Sequence, residues 1–170
     1  MSQHALHREL ETLADTLWAE RHVVEYLLFK LITAKLILAA DERRFVTPAL
    51  DEVERMVTAL RSAEVRRASA LETVARAWSI NVDALTLAEL ADRAPEPFGA
   101  VFRDHRDAFQ GLASEIETTA QENRKLASSS LTHVQETIDA LAGPPAGHTY
   151  TASGRHDATM TSALRLDEVL

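Results

Sequence analysis

A chain of 170 residues is long enough for one domain with a sizeable core. Apolar residues at 46%, charged residues at 26% and only five Gly and five Pro suit long helices, while the lack of cysteine excludes disulfides and thiolate metal sites. A net charge of −8 argues against nucleic-acid binding, because attraction to phosphate supplies most non-specific affinity.

The first helix is expected over about residues 2–40. Leu10, Leu17, Val24, Leu31 and Leu38 recur every seven residues, with Leu6, Leu13, Leu27 and Ala34 on companion positions. That is a seam of coiled-coil type. Glu20 interrupts it, either as a register-setting polar residue or because the seam is wet there. The N-terminal stretch MSQHALHREL lacks the basic region and apolar run of a signal peptide. The most apolar segment, residues 23–40, carries Glu25, Lys30 and Lys35, each costly near a membrane centre. A soluble, cytoplasmic protein without stable membrane insertion is expected. Once the seam and its flanks have partners, Phe29 and Leu36 remain on a side that ought to be polar. They read as an interaction patch, set against cover by the connector over residues 81–97 or plain self-association into a homodimer.

A second helix is expected over about 47–80. Thr47 suits the cap, Pro48 the first helical position, and Asp51, Glu52 and Glu54 the positive end of the dipole. Leu50, Val53, Val57, Leu60, Leu71, Val74 and Trp78 form its stripe, which thins to alanines between Ser62 and Ala70. "TLAE", Thr86 to Glu89, fits a capping box for a short helix over about 86–93 that stops before Pro95 and Pro97.

The third long helix is expected over about 97–142. Phe98, Phe102, His105, Phe109, Leu112, Ile116, Ala120, Asn123, Ala127, Leu131, Val134, Ile138 and Leu141 recur at the mean spacing of a nearly straight helix. Around Thr118–Ser130 this stripe becomes small and polar, so its second half should be held less firmly. Gly143, Pro144 and Pro145 end it. Residues 143–170 read as a flexible tail in which "MTSALRLDEVL" forms a short amphipathic helix only against a groove. The fold expected is all-α: an elongated antiparallel bundle of three long coiled-coil-like helices over 1–142, with a short connector helix and that tail.

Reactive constellations are scarce. His4, His7 and Glu11 lie one turn apart and would suit a metal, but at a fraying terminus they read as solvated. No Glu-x-x-His pair, phosphate-cradling glycine loop, nucleophile elbow or HExxH occurs. His105 falls on the apolar stripe and reads as a core or boundary residue. Neither an enzyme nor a cofactor is expected.

Three ordered features carry a family resemblance: the long first seam, "PEPFGAVFRDHRDAF" opening the third long helix, and "ENRKLASSSLTHVQETIDAL" followed by "TYTASGR". Together they resemble the FlgN-type flagellar export chaperones, in a form similar to actinobacterial members. Thr151, Ala152 and Ser153 replace the glycine and acidic residue common in the family's tail loop, while Tyr150 and Gly154 remain. The resemblance implies a cytoplasmic chaperone of flagellar type III secretion. Its cargo would be the terminal helices of hook–filament junction proteins, delivered to the export gate. By residue match, Asn123, Leu126, Leu131, Val134, Ile138 and Leu141 inherit cargo binding, and Tyr150 and Gly154 inherit gate docking. A structural coiled-coil scaffold acting by self-association is the competing reading.

Overall fold

In a computed structural model, residues 3–142 are described. Helix α1 spans Gln3–Ala39, and a 3-10 turn over Arg43–Phe45 leads into α2, Val46–Trp78. A second 3-10 turn, Val82–Ala84, precedes the short α3, Leu87–Arg93, and α4 runs over Phe98–Ala142. The described residues are thus all-α, with the three long helices and the connector helix in the expected places.

The helix ends differ in detail from what the sequence suggests. Thr47 does not cap α2: the 3-10 turn runs straight into the helix, and Phe45 precedes it without any side-chain cap. Phe45 and Val46 already have right-handed helical dihedrals, so Thr47 and Pro48 fall within the first turn. Proline is tolerated there because the amide hydrogens of that turn have no intrahelical acceptor. Thr86 does cap α3, its hydroxyl accepting from the Glu89 N–H at 3.2 Å. Glu89 does not complete the box, turning instead to Arg93 one helical turn on.

Both α1 and α2 stop on a non-glycine residue in the left-handed region, Asp41 (φ 53°) and Ser79 (φ 56°). At each, two amides fold back onto the last carbonyls. Glu42 N–H donates to Ile37 O and Asp41 N–H to Leu38 O, both at 3.2 Å. Ile80 N–H donates to Ala75 O at 3.0 Å and Ser79 N–H to Arg76 O at 3.2 Å. This paired pattern satisfies carbonyls that the helix leaves open, usually with glycine at the left-handed position.

The described residues divide into two compact units, one ending at Ser128 and the other beginning at Ser129. In the first, α1 and α2 run antiparallel, as the Glu20–Arg67 and Lys30–Glu52 pairs require. Over residues up to 128, α4 runs parallel to α1, tied by Arg21–Asp104 at 2.7 Å and Lys35–Glu122 at 3.0 Å. The main core gathers Leu10, Leu13, Ala14 and Leu17 of α1, Val74 and Ala75 of α2, and Leu85, Leu90, Ala91, Phe98 and Phe102. Each large side chain buried there contributes roughly 1.5–3 kcal/mol.

The connector is fastened to this core by close backbone approach. A methyl group on Gly99 would meet the Ala91 carbonyl oxygen at 3.0 Å and that of Ala94 at 3.1 Å. Arg103 of α4 reaches back, donating to Ala91 O at 3.2 Å and to Glu96 Oε1 at 2.6 Å. The Arg103 guanidinium, helped by the Ala100 N–H, holds the Glu96 carboxyl below its usual range. The connector therefore covers the Leu13–Leu17 end of α1 and leaves Phe29 and Leu36 uncovered, which removes one of the readings open for those two residues.

In the second unit, the described residues are the last turns of α4. Only Ser130 and Val134 among them are even half-buried.

Candidate interaction surfaces

The α1 seam holds one ionisable group. Glu20 is only 3% exposed and meets Arg67 of α2 across 3.3 Å, while its Oε2 has no hydrogen-bond partner. Burial pushes its carboxyl up, against the opposing pull of Arg67. Of the two readings of this position, an exposure of 3% disfavours a wet seam, and the side chain is an ion-pair partner of Arg67 on α2. Arg67 also borders a pocket of about 350 Å³ beside Leu13, Leu17, Leu71 and Leu87.

His105 lies wholly inside, with neither ring nitrogen hydrogen-bonded. Trp18 meets it edge-on at 4.7 Å between ring centres, and Phe109 lies 6.2 Å away. Burial lowers its pKa first, Arg21 lowers it further, and Asp104 opposes both. It is a core residue and is held neutral.

The outward side of α1 carries several exposed large apolar side chains. Phe29 is 54% exposed and Leu36 63%, and they are not alone. Trp18, Tyr26 and Ile32 are exposed as well. Trp18, Phe29, Ile32 and Leu36 fall on one stripe with His22 and Glu25, spaced alternately four and three residues apart. Arg21 sits over the Trp18 ring at 5.1 Å, and Lys30 lies 5.4 Å from the rings of both Tyr26 and Phe29. Sequence reasoning missed Trp18, Tyr26 and Ile32 because it followed the stronger inner seam. A second seven-residue count, out of phase with the first, would have found the stripe.

On α4 the candidate cargo residues separate by burial. Asn123 is half-buried, and its Nδ2 donates to the Leu31 carbonyl of α1 at 3.0 Å. Leu126 and Val134 are half-buried, whereas Leu131, Ile138 and Leu141 are exposed by 72%, 52% and 79%. Tyr150 and Gly154, like the whole of 143–170, lie outside the described residues. At the other terminus His4, His7 and Glu11 are exposed, and the His7 ring meets Phe98 edge-on at 4.9 Å. Among the described residues no group of three His, Asp or Glu is arranged to hold a metal, and no helix is long and apolar enough to cross a membrane.

Among the described residues, the helices offer several exposed apolar side chains. Comparison with curated proteins and with solved structures gives no match. The family model for the FlgN protein matches residues 1–158, nearly the whole chain, and the chain belongs to that family of flagellar export chaperones.

Proposed function

We propose that this chain is the cytoplasmic chaperone of hook–filament junction proteins, and that it covers their terminal helices before delivering them to the export gate. The observation that carries the reading is the exposure of Leu131, Ile138 and Leu141 along one side of the last turns of α4. An apolar stripe left in solvent on an amphipathic helix suits helix-in-groove packing with a second amphipathic helix. A secretion substrate has to stay unassembled, and covering its terminal helices achieves that. Coupled ordering of two weakly held helices keeps affinity moderate, so cargo is released when required.

The second half of α4 is the cargo surface in this reading, with Asn123, Leu126, Leu131, Val134, Ile138 and Leu141 contributing. Asn123 anchors its start through the bond to Leu31. Tyr150 and Gly154 contact the gate, a division of labour that follows from the family's tail motif. The test is co-purification with the C-terminal helix of a junction protein. Val134→Asp combined with Ile138→Asp is expected to abolish binding, and unchanged binding would refute the cargo assignment. Tyr150→Ala is expected to spare cargo affinity while stopping export; loss of cargo affinity instead would end the separation of roles.

A further inference from the structure

The pocket of about 350 Å³ beside Arg67 lies where the connector meets α1 and α2, and the cargo reading makes no use of it. Leu13 and Leu17 of α1 line it with Leu85 and Leu90 of the connector, all four nearly wholly buried. Leu71 of α2 and Leu87 of α3, both half-buried, complete the apolar lining. Opposite the connector, α2 offers only the methyl group of Ala68, in the stretch where its stripe thins to alanines. A longer side chain there would enter the space.

Two polar side chains join these six leucines. Thr86 accepts from the Glu89 N–H at 3.2 Å, and its hydroxyl hydrogen remains to donate. Arg67 is the one charged residue among the described residues of the lining. Its Nη1 meets Glu20 Oε1 at 3.3 Å, while Glu20 Oε2 stays unbonded, so the ion pair has a single contact instead of the two-pronged form. The Arg67 side chain is 39% exposed and has five N–H donors, so donors remain for a second carboxylate. Volumes of roughly 300–1,000 Å³, apolar walls and a few fixed polar groups are the marks of small-molecule sites. We infer that this pocket binds an unbranched aliphatic carboxylate of about eight to ten carbons, with its chain among the leucines and its head on Arg67.

The chemistry of the lining selects both parts of the ligand. No aromatic side chain contributes, so a flat ring finds nothing to stack on, whereas a flexible chain follows the leucines. A cationic head would be repelled by Arg67, and a neutral one would forgo charge-assisted hydrogen bonds. Arg66, which also acts on Glu20, adds positive charge on this side, with Glu64 opposing it. Three elements and the connector turn share the site, so an occupant ties the connector to α1 and α2. Binding only the folded chain, it raises the melting temperature as its concentration rises.

No residue of α4 takes part, so this binding and cargo binding stand or fall separately. Titration calorimetry of the full chain with decanoate should show one site, with a Kd below about 1 mM. Octanoate should bind roughly fifteenfold more weakly, about fourfold for each methylene lost. Decylamine, with the same chain and a cationic head, should bind at least tenfold more weakly than decanoate. Ala68→Phe fills the space from an exposed position, so it should fold, which circular dichroism checks, and should abolish binding. Arg67→Met combined with Glu20→Leu keeps the seam free of a stranded charge and should erase the preference for the carboxylate. No binding of decanoate at about 1 mM overturns the proposal, as does equal binding of decylamine or native-like binding by Ala68→Phe. A pocket that ignores decanoate and takes only a free peptide of sequence MTSALRLDEVL is an anchor site for protein side chains, which overturns it too.

Discussion

The first and last thirds of α4 have the same apolar rhythm and opposite fates. Phe98 and Phe102 are buried in the core, with ring centres 6.4 Å apart, and His105 follows them inside. Leu131, Ile138 and Leu141 continue the same helical stripe and stay in solvent. Periodicity decides which side chains share a face, whereas burial depends on what the face meets. Near Phe98 the face meets α1 and α3, brought close by Gly99 and stapled by Arg103. An apolar stripe is therefore a capacity for packing that a partner of any origin can use.

Substitutions at matched positions sharpen the contrast. Phe102→Ala should cost roughly 3–5 kcal/mol in urea unfolding, because a fully buried ring leaves a cavity that neighbours refill only in part. Arg67→Met should cost about 3 kcal/mol by the same assay, since it strands the Glu20 carboxylate in the α1 seam. Adding Glu20→Leu to it should restore the loss or exceed it; a double variant no more stable than the single one would mean that Arg67 matters for its packing alone.

The pH profile reports on the buried groups of the first unit. His105 has a depressed pKa in the folded chain, so its contribution is full above the unfolded value near 6.5 and is lost as pH falls through it. Thermal stability should drop as pH falls below about 6.5, and His105→Phe should flatten that slope. An unchanged slope would assign it to other groups. Glu20 runs in the opposite sense: its raised pKa means stability present below the unfolded carboxyl value and lost as pH rises through the folded one.

Smaller effects are expected further out. Ser79→Gly should stabilise by about 1 kcal/mol, because glycine adopts the left-handed conformation without the side-chain penalty, and a loss of stability there would show that the serine hydroxyl matters. Ile138→Ala should stay within about 0.5 kcal/mol of the native chain, since the residue is exposed. A large loss at Ile138 would mean that this part of α4 is sealed in solution, and would break the contrast at its weaker end.

Much of the architecture was legible from side-chain order alone. The inner seam of α1, Leu10, Leu13, Leu17 and Val24, is buried as its seven-residue recurrence implied. Thr86 caps α3, since a threonine before an apolar run with Glu three residues on has few alternatives. The start of α2 was misplaced at Thr47, because a 3-10 turn carries no periodic signal and the helix grew out of it. For the candidate surfaces, the sequence singled out Phe29 and Leu36 by elimination and could not tell that Trp18, Tyr26 and Ile32 would join them in solvent.

Local chemistry set helix number, helix boundaries to within a few residues, and the inward face of α1, because spacing and capping act within a few turns. Tertiary structure decided the rest: that the connector covers Leu13 and Leu17 and leaves Phe29 free, that Glu20 meets Arg67. It also decided that His105 lies dry between Trp18 and Phe109. Those outcomes depend on contacts between residues tens of positions apart, and no local pattern specifies which neighbour a given face will find.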